Sequence, residues 1–87
     1  MRFKAFEWDR HNLRHIGRHQ VTAEEAEQAC WHHPLSLKGR LPRYYVLGQT
    51  ENGRYLNVIV EIKPFGVARV VTARDMGAAE RKRYLRR

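Results

Sequence analysis

The sequence predicts an α+β fold in which helices pack on one face of an antiparallel sheet. Apolar residues recur with a helical period in the first third of the chain. From Tyr44 onward the period falls to two, and Asn52-Gly53 marks a hairpin between two alternating runs. With 87 residues and 43% hydrophobic content, one domain spanning 1–87 with one modest core is expected.

Residues 3–7 alternate weakly and suit a short edge strand. Asp9 is a good N-cap for a helix over 10–18, with Leu13 and Ile16 expected to point inward and Gly17 weakening the last turn. Thr22-Ala23-Glu24-Glu25 forms a capping box that opens a second helix. Val21 and Ala26 suit a hydrophobic staple, and Ala26, Ala29 and Cys30 continue the inner face until Pro34 ends the segment. Residues 33–42 read as a basic loop punctuated by Pro and Gly. Strands follow over 44–49 and 54–62, joined by Glu51-Asn52-Gly53. In the second of these, Leu56, Val58, Val60 and Ile62 share the core face, while Tyr55, Asn57, Ile59 and Glu61 share a semi-polar one. Lys63-Pro64-Phe65-Gly66 turns the chain into a strand over 67–73, and a basic helix closes it over 78–85. The expected order is β-α-α-β-β-β-α.

Charge narrows the function. Seventeen Lys+Arg stand against nine Asp+Glu, for a net +8, and thirteen of the cations are arginines. The arginine fork pairs with phosphate in a planar, bidentate way, so nucleic acid is the expected partner, with a solubilising surface as the bland alternative. No apolar run is long enough to span a membrane, and no amphipathic basic helix with a broad apolar face suggests binding to one. The first eight residues are basic but contain no apolar signal core, which points to the cytoplasm. The lone Cys30 rules out an intramolecular disulfide and a paired-cysteine zinc site, and it reads as a core residue.

His11, His15 and His19 recur every four residues, but the segment lacks the glutamate that a zincin places after its first histidine. No metal and no cofactor are expected. A polar helix face, or one histidine serving an RNA site, explains the spacing. Paired carboxylates, a nucleophile elbow and a phosphate loop are all missing from the pattern. What remains is a set of arginines and tyrosines delivered by the sheet and the last helix: Arg43, Tyr44, Arg54, Tyr55, Arg74, Arg81 and Tyr84, with Arg83 beside them. Strand-end arginines can converge on a scissile phosphate, and nearby aromatics can stack on bases. Spacing alone does not separate this reading from a ring of solvated cations.

Several blocks, taken in order, resemble BrnT-like proteins. They are Phe6-Glu7-Trp8-Asp9, Asn12-Leu13-Arg14-His15-Ile16-Gly17-Arg18-His19, Val21 with Glu24-Glu25-Ala26, Arg43-Tyr44 and Val46-Leu47-Gly48-Gln49-Thr50. Gly53-Arg54-Tyr55-Leu56, Val70-Val71-Thr72-Ala73-Arg74, and Glu80-Arg81 with Tyr84 continue the series. Two positions depart from that pattern. Gln20 stands where the family usually has glycine, and Gly77 where a capping Ser or Thr usually begins the last helix.

The resemblance implies a RelE-like fold and a ribonuclease toxin of a type II toxin–antitoxin pair, held inactive by a ribbon-helix-helix antitoxin. Its assembly would be a homodimer or a toxin–antitoxin hetero-oligomer. It implies a cleaving set of Arg54 and Arg74, with Arg43, His19 and Tyr84 beside them. Tyr44, Tyr55, Arg81, Arg83 and His15 are expected to bind RNA. The rival expectation is a non-catalytic RNA-binding or regulatory module with the same basic face.

Overall fold

The computed structural model describes residues 4–87, so Phe3, expected in the first strand, lies outside the described residues. The chain runs β1 (Ala5–Glu7), α1 (Arg10–Gly17), α2 (Ala23–Trp31), β2 (Leu35–Lys38), β3 (Arg43–Gln49), β4 (Tyr55–Lys63), β5 (Val67–Asp75) and α3 (Ala78–Leu85). A 3-10 turn over Pro64–Gly66 joins β4 to β5. The five strands form one sheet in the spatial order β1-β5-β4-β3-β2.

Both helix starts behave as the sequence predicts. The Asp9 carboxylate accepts the Asn12 amide at 3.0 Å, and Thr22 accepts the Glu25 amide at 3.1 Å while Glu25 returns to the Thr22 amide. Ile16, Val21, Ala26, Ala29 and Cys30 pack on Val46, Leu56, Val58, Val60, Ala68, Val70 and Ala73. Burial pushes the Cys30 thiol up to about 12, so it is an inert core residue. Gly48 allows α2 to lie directly on β3: a Cβ there would run into the Ala29 carbonyl.

Four expectations need correction. The segment expected to be a loop over 33–42 contains β2, whose Leu35 and Leu37 stand opposite Leu47 and Tyr45 on β3. Four alternating residues between a proline and a glycine are too few for periodicity to reveal. The sheet is also not wholly antiparallel, because β1 pairs with β5 in parallel, Ala5 opposite Val67. The long connection between them, two helices followed by β2, β3 and β4, brings the chain back to the end of the sheet where β1 began, as a parallel pair requires. Leu13 is 43% exposed, and Asn12 takes the inward position instead. Its amide donates to the Glu7 carbonyl at 2.9 Å and the Val70 carbonyl at 3.0 Å, which caps the free edge of β5 where β1 stops.

The helices are not all on one face. α1 and α2 cover the face carrying Val58 and Ala73, while α3 lies against the other. There Tyr84 is buried against Tyr55, and Glu80 bonds Asn57 and Arg74. This explains why Asn57 and Leu47, on the semi-polar side, are as buried as the core. The register of β4 and β5 shifts between Ile59 and Val60, which leaves Val71 without a partner on β4.

Candidate nucleic-acid interface

Arg54 precedes β4 and reaches the side of the sheet that carries the first two helices. Its Nε donates to Asp75 at 2.8 Å, Nη1 to the Gln20 carbonyl at 2.6 Å and Nη2 to the His19 carbonyl at 3.0 Å. Glu25 lies 3.3 Å away. The Arg54 hydrogen bond holds the Asp75 carboxyl below its ordinary range. Arg74 lies inside β5, opposite Asn57, and points to the other face. Both ends of its fork are taken by Glu80, at 2.8 and 2.9 Å. That contact, followed by weaker hydrogen bonds from Gly77 and Asn57, lowers the Glu80 carboxyl from 4.5 to about 2.

The two arginines therefore share an end of the sheet but not a face. The expectation that one phosphate could lie between them fails on strand parity: Arg54 follows the side of Leu56 and Asp75, and Arg74 the side of Asn57.

His19 and Arg74 do border one hollow at that end of the sheet. With Arg18, Gln20 and Asp75 they line a shallow cavity of about 350 Å³ where the α1–α2 turn faces the end of β5. Arg43 does not join them. It pairs with Glu61 at 3.2 Å, four residues along β4 from Asn57, or roughly 13 Å at the usual rise per strand residue. Arg43 instead lines a second cavity, of about 330 Å³, with His11, His15, Arg69 and Val71. Tyr84 lies in neither cavity. It is 2% exposed and anchors α3, with the Arg87 guanidinium 3.8 Å above its ring.

The expected base-stacking groups are mostly committed to packing. Arg81 lies 4.2 Å over Tyr55, which meets Tyr84 edge-on at 5.9 Å. Tyr44 is half-buried against the core, and its neighbour Tyr45 is the exposed one, on the face that α3 only partly covers. Arg83 and His15 remain accessible.

Sequence reasoning missed Arg69, which donates at 2.8 Å to both Glu7 and Asp9, and the free cations of α1. The acids explain the difference. Glu7, Asp9, Glu25, Glu61, Asp75 and Glu80 neutralise Arg43, Arg54, Lys63, Arg69 and Arg74. The surplus positive charge is left on other residues. Among the described residues no three His, Cys, Asp or Glu side chains gather as a metal site needs, and no helix is long and apolar enough to cross a membrane.

No family model matches the chain, and no curated protein matches it either.

Proposed function

We propose that this chain is a RelE-like, BrnT-type toxin that cleaves RNA in the cytoplasm. The observation that carries the reading is the rim cavity, which Arg18 and His19 from the α1–α2 turn line together with Arg74 from β5. A ribose 2′-hydroxyl held there attacks the adjacent phosphorus. His19 accepts its proton as the P–O2′ bond forms, and Arg18 and Arg74 stabilise the charge that builds on the phosphoryl oxygens. The P–O5′ bond breaks, the leaving oxygen takes a proton from water at the open rim, and a 2′,3′-cyclic phosphate remains.

A ribbon-helix-helix antitoxin covering this rim is the proposed regulator. The open rim and its surplus cations support that partner by leaving the cavity accessible and attractive to an acidic segment.

One observation favours the second reading, an RNA-binding module without cleavage: the forks of Arg54 and Arg74 are already occupied by carboxylates. Expression of the chain alone in bacteria separates the two. Growth arrest with cut RNA, reversed by co-expression of a ribbon-helix-helix antitoxin encoded beside the chain, is expected of the toxin. Normal growth with intact RNA, alongside RNA binding in vitro, would leave only the module. If about four phosphates are engaged, log affinity falls with log salt at a slope near −3. A flat salt dependence removes both readings.

A further inference from the structure

We infer that the outward face of α1 is a binding site for the phosphate backbone of single-stranded RNA, built from an Arg-His pair repeated every four residues. The pairs are Arg10-His11, Arg14-His15 and Arg18-His19. At 100° per residue, Arg10 and Arg14 with the C-cap Arg18 form a row directly opposite the buried Asn12 and Ile16, His11 and His15 form a second row along one flank, and His19 follows in the turn just past the helix end. Each step along either row advances about 6 Å. An extended nucleic-acid strand repeats its phosphates with a similar step.

The three arginines are exposed, and among the described residues no carboxylate pairs with them. Five cations elsewhere are neutralised by acids, so this row is unneutralised charge at regular spacing. The histidine row opens onto the same ground. His11 and His15 face each other with ring centroids 5.9 Å apart. They line a cavity of about 220 Å³ with Arg14 and Arg18. Both also line the cavity beside Val71, and Arg18 is shared with the rim cavity that holds His19 and Arg74. Shared lining residues set the three hollows side by side along α1, toward the place of proposed cleavage.

A protein partner would need an apolar centre to this surface. Leu13, the exposed large apolar residue of α1, lies on the flank away from the histidines, so no apolar seam runs between the two rows. The site rests on the RNA reading above, and extends it from the rim to an entry path for the strand.

The experiment is fluorescence anisotropy with a labelled, unstructured 12-nucleotide RNA, titrated at several salt concentrations. Arg10→Ala, Arg14→Ala and Arg18→Ala are measured singly and together, with circular dichroism as the check on folding. At 0.1 M salt each single change should weaken binding about fivefold and the triple on the order of a hundredfold, from a slope of roughly 0.7 per phosphate. The salt slope of the triple should shrink by about 2. The charge-matched triple Lys38→Ala, Arg40→Ala, Arg86→Ala, placed away from α1, should change affinity far less. Equal losses in the two triples would reduce the site to bulk charge and overturn it. Full affinity in the folded α1 triple would overturn the site while leaving the RNA reading intact. A wild-type chain that binds no RNA would instead remove the RNA reading, and the site with it.

Discussion

Arg54 and Asp75 are joined by two hydrogen bonds, 2.8 Å from Nε and 3.2 Å from Nη2, across the ends of neighbouring strands. The other contacts of the same guanidinium go to the carbonyls of His19 and Gln20 and to Glu25 in the first turn of α2. One planar fork thus ties the end of β5, the α1–α2 turn and the start of α2 together. His19 keeps its place at the rim partly because Arg54 holds its backbone. This gives Arg54 a positioning role in the proposed chemistry rather than a seat at the phosphate.

Arg54→Ala should therefore cost about 2 kcal/mol of stability, because several acceptors lose a charged donor at once. A solvated rim arginine, as the sequence suggested, would cost well under 1 kcal/mol. Arg54→Lys should recover only part of the loss, since an ammonium cannot reach both Asp75 and the turn carbonyls. Urea midpoints measure this. An unchanged midpoint together with lost RNA cleavage would return Arg54 to the reacting centre.

Acid should release α3. The Glu80 carboxyl is held at about 2 against an ordinary 4.5, chiefly by its hydrogen bonds from Arg74. A depressed folded-state pKa means the stabilisation is fully present above 4.5 and is lost as pH falls toward 2. Asp75, lowered by Arg54, adds a loss of the same sign. Thermal melts from pH 6 to pH 2 should fall steeply through that window, and Glu80→Gln should flatten the fall. A wild-type melting temperature independent of pH below 4.5 would contradict the Arg74–Glu80 link.

Much of the frame was legible before the structure, because it rests on local rules. The Thr22 capping box, the Asn52-Gly53 turn and the alternation from Leu56 to Ile62 each state their outcome in a few residues. Pairing across the sheet is not local. Whether α3 lay above Asn57 or above Val58 depended on a contact between Tyr84 and Tyr55, and both faces of β4 were apolar enough to be covered. Tyr44 and Tyr45 show the same limit, since register alone decides which of two adjacent tyrosines is exposed. The rim arginines were readable as positions but not as free charges. Their state depended on where six carboxylates fell in space.

Gln20 offers a stability test at the turn that Arg54 holds. Its φ of 58° lies in the left-handed region, which costs a residue with a Cβ about 1 kcal/mol. The interaction with Arg54 uses the Gln20 carbonyl, which glycine would keep. Gln20→Gly should raise stability by about 0.5–1 kcal/mol, and Gln20→Val should lower it, since a β-branched residue tolerates this conformation least. A destabilised glycine variant would mean that the Gln20 side chain contributes something the backbone geometry does not reveal.

Arg74 can serve a phosphate only by exchanging Glu80 for it, because Glu80 holds both terminal nitrogens of its fork. Glu80→Gln keeps the shape and can still accept the Gly77 amide, but it removes the competing charge. Two effects of opposite sign follow. Stability should drop by about 1 kcal/mol as the pair at the start of α3 weakens. RNA cleavage should rise severalfold, since the fork is then free to turn toward the cavity it lines with His19. Arg74→Ala should lower cleavage on the order of a hundredfold, the usual loss for one transition-state charge contact, and should cancel the gain from Glu80→Gln when the two are combined. Cleavage at full rate in Arg74→Ala would leave Arg74 as the anchor of α3 and nothing more. The rate would then have to come from Arg18 and His19 alone.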